Sequence, residues 1–141
     1  MEKQSFYAVT FAQILAALVL LWIIFFRTGE WDLQRYTGAA LTLTGMAGIA
    51  VARYQLGRSF AIRPEARQLV THGLYSKIRN PIYVFGTLLI SGVVLVLHRP
   101  GLWLMVIAIV IMQIVRAKRE AQVLESAFGE GYREYRRKTW F

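Results

Sequence analysis

Residues 6–26 read FYAVTFAQILAALVLLWIIFF, a run of 21 residues without one charged side chain. A helix needs about 20 apolar residues to cross the hydrocarbon core of a bilayer. Glu2 and Lys3 ahead of the run nearly cancel in charge, and no small-residue cleavage site follows it, so the pattern is not typical of a signal peptide. We therefore expect a retained transmembrane helix.

Three further uncharged runs follow, at residues 36–52, 82–97 and 102–115. The first of these contains Gly38, Gly45 and Gly48, and small residues let helices approach closely in lipid. Four residues, 98–101, separate the last two runs, which predicts a tight helical hairpin. The sequence thus predicts an all-α, polytopic membrane protein with about four transmembrane helices and a cytosolic C-terminal helical tail.

We expect one membrane domain over residues 1–141, with two transmembrane helices in residues 1–53 and a loop, the hairpin and the tail in residues 54–141. The composition agrees with this class: 56% of the residues are hydrophobic and 18% are charged, against roughly 25% charged in an average globular protein. Such hydrophobicity excludes a disordered chain. The absence of cysteine excludes a disulfide-stapled secreted domain and a thiol nucleophile, and two distant histidines make a metal site unexpected.

The net charge of +9 is distributed unevenly along the chain. Fourteen of the 17 Lys and Arg residues lie in the N-terminus, the loop at 53–80 and the tail after residue 115. Because cytoplasmic segments carry the excess of basic residues, both termini, this loop and the tail are predicted to lie in the cytoplasm. The charge is explained by topology and attraction to anionic lipid, so nucleic acid is not an expected partner. The compact chain favours a prokaryotic inner membrane.

The loop at 53–80 ends in Asn80 and Pro81, which are favoured residues at the start of a helix. Taken alone, this stretch is more typical of a structural turn and helix cap. However, Gly73-x-Tyr75 and Asn-Pro-x-Tyr83 bring polar groups to a helix N-terminus, where anionic groups bind readily.

The tail begins with Arg116 and Glu120, four residues apart on one helix face. We expect Gly129 to end or bend that helix and Tyr132 and Tyr135 to belong to a short amphipathic helix. Taken alone, Arg116 and Glu120 are typical of a surface ion pair.

Together the two stretches resemble the isoprenylcysteine carboxyl methyltransferases and the related phospholipid methyltransferases, which are integral membrane enzymes using S-adenosylmethionine (SAM). The resemblance covers about residues 56–135. It rests on the order of Gly73-Leu-Tyr75, Arg79-Asn-Pro-Ile-Tyr83, the membrane hairpin, Arg116-x-x-x-Glu120, Leu124, Phe128-Gly129, Tyr132 and Tyr135.

This resemblance implies a cytosol-facing pocket for SAM, with Arg116 holding the substrate and Arg116 and Glu120 as the catalytic residues. A guanidinium fits a carboxylate in a bidentate manner. By position, the residues implied in cofactor binding are Leu69, Val70, Tyr75, Asn80, Pro81, Ile82, Tyr83 and Glu120. The chain departs from the family pattern at Asn80, where histidine is frequent, at Ala121, where a second acidic residue is common, and at Arg67, where some eukaryotic members carry histidine.

The expected function is therefore methyl transfer to a lipophilic or prenylated acceptor that reaches the cytoplasmic interface from the membrane, as in isoprenylcysteine carboxyl O-methylation. Methylation of a phospholipid or another lipid amine is the alternative, as is a non-catalytic membrane subunit of the same fold. A membrane reductase is disfavoured because such enzymes are much longer. A homodimer through the glycine-rich second run is an open alternative to packing within one chain.

Overall fold

The computed structural model describes residues 2–56 and 69–141, and the regular elements in these ranges are all helices. The long helices are α1 (Glu2–Phe26), α2 (Leu33–Leu56), α3 (Pro81–Leu97) and α4 (Trp103–Phe128), and a short α5 (Glu130–Lys138) follows. Single 3₁₀ turns occupy Gly73–Ser76 and Pro100–Leu102. The all-α prediction is confirmed, and the hairpin between α3 and α4 turns where the sequence places it.

Among the described residues, one helical segment, Pro100–Phe128, is long and apolar enough to cross a membrane. The part of α1 from Phe11 to Phe26 and the helix Pro81–Leu97 are apolar but shorter than that criterion requires. At 1.5 Å per residue, the 17 residues of α3 span about 25 Å, against a hydrocarbon core of about 30 Å. Four transmembrane helices, their orientation and the division of the domain at residue 53 stay predictions.

The closest packing in the fold joins α2 to α3. The buried glycines of α2 make this contact: a Cβ on Gly45 would lie 2.6 Å from the backbone nitrogen of Leu89. A Cβ on Gly38 would lie 2.7 Å from the carbonyl oxygen of Gly92 in α3. The glycines therefore pack two helices of one chain together; the sequence predicts close packing at these glycines but leaves their partner open.

Helix α4 packs more loosely and exposes most of its apolar side chains, among them Leu104, Ile111 and Met112. In its membrane segment only Val106 is fully buried. The less exposed residues recur every three or four positions and define one inner face, which comprises Val106, Ile109, Val110, Gln113, Ala117, Glu120, Ala121 and Leu124. This face turns toward the rest of the molecule, and before residue 116 the opposite face exposes apolar side chains.

A buried arginine fastens the end of α1 to the start of α2. The guanidinium of Arg35, 2% exposed, donates hydrogen bonds to the carbonyl oxygens of Ile24 and Arg27, both at 2.8 Å, and of Gly29 at 2.9 Å. At the same end, His98 Nε2 lies 2.9 Å from Asp32 Oδ2. These contacts place the first loop and the hairpin tip together, at the end of α3 away from Tyr83.

Candidate active site

Glu120 is the centre of a hydrogen-bonded cluster where α3 begins. Tyr83, in the first turn of α3, donates from its hydroxyl to Glu120 Oε1 at 2.6 Å. Arg116 Nε donates to the same oxygen at 3.0 Å. The side chain of Glu120 is 25% exposed and that of Arg116 is 53% exposed. The cluster therefore joins two helices of the hairpin and stays accessible from outside the fold.

The start of α3 is set by the backbone of Asn80 and by the ring of Pro81. Asn80 occupies the N-cap position, and its carbonyl oxygen accepts from the N–H groups of Tyr83 at 3.0 Å and Val84 at 3.2 Å. Its side chain makes no capping hydrogen bond, which differs from the usual role of an N-cap asparagine. Pro81 is buried at the first helical position, where a missing N–H is harmless.

Tyr75 lies on a 3₁₀ turn that α2 holds in place. Gly73 opens this turn at a φ of +60°, a conformation that favours glycine. The Gln55 side chain, near the end of α2, accepts a hydrogen bond from the N–H of Leu74 at 2.7 Å. Tyr75 is 7% exposed. Burial raises the pKa of Tyr75 well above its usual range, and Tyr135 and the charge of Glu120 add to the shift, so its phenol stays neutral.

Helix α5 folds back against this turn through two buried tyrosines. Tyr135 is 8% exposed, and its hydroxyl donates to the carbonyl oxygen of Tyr75 at 2.7 Å. Tyr132 packs beside it, with ring centroids 6.2 Å apart. Burial and the neighbouring Tyr132 raise the pKa of Tyr135 to about 12, while Arg79 opposes the shift. The predicted amphipathic helix is confirmed, and Gly129 at a φ of +52° separates it from α4.

The residues after α5 pair with the loop that precedes α3. The N–H of Trp140 donates to the carbonyl oxygen of Lys77 at 3.0 Å, and the N–H of Arg79 donates to that of Trp140 at 3.1 Å. The N–H of Asn80 donates to the carbonyl oxygen of Phe141 at 2.9 Å. Within the described chain, the buried Nε of Arg79 has no hydrogen-bond partner. A cationic group with an unsatisfied donor therefore lies next to the start of α3.

The structure brings together six of the residues that the sequence marks out. Arg116, Glu120 and Tyr83 form the cluster, Tyr75 lies near it, and the Asn80–Pro81 pair starts the helix that carries Tyr83. Ile82 follows Pro81 and is half-buried, as are Leu69 and Val70. The side chains of these three are aliphatic and carry no hydrogen-bonding group, and the role of every predicted residue in cofactor binding stays a prediction. Arg67 lies outside the described residues.

Several contacts of the site escape sequence reasoning. The bond from Tyr83 to Glu120 joins residues 37 positions apart, and the bond from Tyr135 to Tyr75 joins residues 60 apart. Gln55 belongs to none of the motifs, so its position near the end of α2 is the only feature of the sequence that points to its contact with the turn. Arg79 belongs to the quoted motif, but its burial depends on the backbone pairing with Trp140.

One comparison with known proteins identifies a family. The family model described as PEMT, phospholipid methyltransferase, matches residues 33–131. This range begins with α2 and ends in the first turn of α5, so it contains all the residues of the cluster. No curated protein and no solved structure gives a significant match to the chain.

Proposed function

The chain belongs to the phospholipid methyltransferase family, and from that premise we propose that it transfers a methyl group from SAM to a lipophilic acceptor at the cytoplasmic face of a membrane. The observation that carries the proposal is the cluster of Tyr83, Glu120 and Arg116. It lies where α3 begins and where α4 changes from an apolar to a charged sequence. Such a position is open both to a water-soluble donor and to a lipid-borne acceptor.

The residues around the cluster fit the chemistry of SAM. Its ammonium and ribose hydroxyls need acceptors, and Glu120 Oε2 accepts no hydrogen bond from the described part of the chain. Its carboxylate needs a cation or N–H donors, and the buried Nε of Arg79 lies unsatisfied beside the N-terminus of α3. The half-buried ring of Tyr83 lies beside Glu120, and an aromatic face favours a cation such as a sulfonium.

When bound, SAM supplies an electrophilic methyl group, so the residues of the chain mainly orient and desolvate the acceptor. Glu120 is held in place by Tyr83 and Arg116, and its carboxylate favours an ammonium group nearby. An amine acceptor must lose a proton before it attacks, and Glu120 is the group within the cluster that is able to accept it. A lipid amine that uses Glu120 as its base is therefore one candidate acceptor, and Glu120 would then not also hold the SAM ammonium.

A carboxylate acceptor of the isoprenylcysteine type is the second candidate, and the exposed Arg116 favours it. A carboxylate is already nucleophilic and needs no general base. Arg116 is 53% exposed at the end of the apolar segment, where a guanidinium is able to hold such a group. The same proposal places the site in the cytoplasm and the protein in an inner membrane, in agreement with the distribution of basic residues.

The first experiment is calorimetric SAM binding to the detergent-purified protein, with NADPH as a parallel ligand. We expect saturable SAM binding and no NADPH binding. Glu120→Ala should weaken SAM binding about tenfold or more, because a hydrogen bond to a charged group contributes about 1.5–3 kcal/mol. Glu134→Ala is the matched control, because Glu134 lies on α5 with a side chain 64% exposed.

A folded protein that does not bind SAM would refute the proposal and favour a non-catalytic subunit. An unchanged dissociation constant in Glu120→Ala would refute the role of that residue. Turnover of aminolipids and prenylated carboxylates then separates the two acceptor classes. Arg116→Ala should abolish turnover of a carboxylate acceptor while SAM affinity is retained.

A further inference from the structure

His98, at the tip of the α3–α4 hairpin, lies between two hydrogen-bond acceptors. It is the C-cap of α3 and takes the left-handed conformation, with a φ of +52°. Its Nδ1 lies 3.1 Å from the carbonyl oxygen of Val96, and its Nε2 lies 2.9 Å from Asp32 Oδ2. Carbonyl and carboxylate oxygens accept hydrogen bonds and donate none. Both contacts are hydrogen bonds only when both ring nitrogens carry a proton, so the geometry selects the charged imidazolium.

Asp32 makes a matching pair of contacts directly before α2, in the first loop (residues 27–32). Its Oδ1 accepts from the N–H of Arg35 at 2.7 Å, and its Oδ2 faces His98. A helix favours a negative charge near its N-terminus and a positive charge near its C-terminus. Asp32 lies at the start of α2 and His98 at the end of α3, so each charge lies at the helix end that favours it. One ion pair thus links the first loop to the hairpin tip.

The surroundings of the pair contain several other charged side chains, which come from the neighbouring elements: Arg27 after α1, Glu30 in the first loop, Arg35 on α2 and Arg99 at the hairpin tip. Helix α4 contains no charged residue before Arg116. Arg27 Nη1 donates to the carbonyl oxygen of Val96, and its positive charge opposes the protonation of His98. The guanidinium of Arg35 is engaged by three carbonyl oxygens of its own.

The hydrogen bonds of the pair define a pH window in which it stabilises the fold. The bond with Asp32, followed by the bond with Val96, raises the pKa of His98 above its usual value of about 6.5. The contribution of His98 is therefore fully present below that value and is lost as the pH rises through the raised pKa. The N–H of Arg35, followed by His98, lowers the pKa of Asp32, so the contribution of Asp32 is lost only as the pH falls through this lowered pKa.

We propose that His98 and Asp32 form a pH-operated latch, which fastens the first loop to the hairpin tip when His98 is protonated and releases it when His98 is neutral. The distribution of basic residues predicts that this end of the bundle lies outside the cytoplasm, where the pH follows that of the medium. The latch does not depend on methyl transfer, because the cluster around Glu120 lies near the opposite end of α3.

The first test is an NMR pH titration of the detergent-purified protein with isotope-labelled histidine rings. The chain has two histidines, so His72→Gln identifies the signal of His98. We expect Asp32→Asn to lower the pKa of His98, because asparagine is as good an N-cap for α2 but carries no charge. An unchanged titration midpoint in Asp32→Asn would overturn the pairing.

The second test measures release of the hairpin tip with a nitroxide spin label on Gly101→Cys, an exposed position with open space at Cβ. We expect the label to be more mobile at about pH 9 than at about pH 5, on either side of the usual pKa of histidine. His98→Asn tolerates the left-handed conformation without a charge, and its label should be mobile at both pH values. His72→Gln, at an exposed position outside the latch, is the matched control and should keep the difference.

Equal mobility of the label at both pH values in the otherwise wild-type chain would overturn the proposal. Thermal unfolding of the unlabelled proteins gives a measurement that does not depend on the label. The wild-type chain should melt at a higher temperature than His98→Asn at about pH 5 and at the same temperature at about pH 9. A difference of the same size at both pH values would show that His98 stabilises the tip without acting as a latch.

Discussion

The hydroxyl of Tyr135 is the residue-scale contact that ties the tail to the turn bearing Tyr75. Its partner, the carbonyl oxygen of Tyr75, is buried, so Tyr135→Phe leaves an acceptor without its donor. Such a loss costs about 1–3 kcal/mol. We expect Tyr135→Phe to lower the melting temperature in detergent and also to weaken SAM binding, because Tyr75 loses its support. Tyr54→Phe is the matched control, with a ring 88% exposed at the end of α2.

Equal melting temperatures for Tyr135→Phe and Tyr54→Phe would show that the contact contributes nothing to stability. Loss of stability with full SAM affinity would confine Tyr135 to a structural role. The test can be made at any physiological pH. Burial raises the pKa of Tyr135 to about 12, so the phenol is a neutral donor throughout that range.

Single residues of the site differ in how well the sequence predicts them. The pair of Arg116 and Glu120 follows from helical spacing, because residues four apart lie on one face. The contact of Tyr83 with Glu120 depends instead on how α3 and α4 cross, and no local pattern encodes a crossing. For Asn80 the sequence predicts the position but not the contact. The residue takes the expected N-cap position, but its side chain makes no capping hydrogen bond.

At the scale of elements, the pairing of α2 with α3 supports the site, because α2 holds the turn of Tyr75 and α3 carries Tyr83. A Cβ on Gly45 would lie 2.6 Å from the Leu89 backbone nitrogen, which is unable to move aside as a flexible side chain does. We expect Gly45→Ala to destabilise the protein by about 1–3 kcal/mol through overpacking.

Gly86→Ala is the matched control on α3, where a Cβ meets only ordinary contact. It should be neutral or stabilising by about 0.5–1 kcal/mol, since alanine is the better helix former. Thermal unfolding in one detergent measures both variants. A melting temperature of Gly45→Ala at or above that of Gly86→Ala would contradict the packing argument. The sequence indicates close packing at the glycines of α2, but the partner helix is known only from the structure.

At the scale of the whole molecule, the site and the Arg35 contacts lie at opposite ends of α3, about 25 Å apart along a helix of 17 residues. The loop before α3 and the tail after α4 join at one end through Trp140. The first loop and the hairpin tip join at the other end through Asp32 and His98. The distribution of basic residues predicts the same two groups of segments. The contacts that join them in the structure, however, are made by other residues.

The two ends of the bundle are expected on opposite faces of the membrane, and the absence of cysteine makes this testable with single-cysteine variants. Gly101→Cys at the hairpin tip and Gly131→Cys on α5 are matched, because both positions are exposed, have open space at Cβ and leave the charge unchanged. A membrane-impermeant maleimide added to intact cells should label Gly101→Cys and Thr28→Cys but not Gly131→Cys. Inverted membrane vesicles should reverse the pattern. Labelling of Gly101→Cys and Gly131→Cys from the same face would contradict a spanning α4, the one helix of the described chain whose length and composition meet the criterion by themselves.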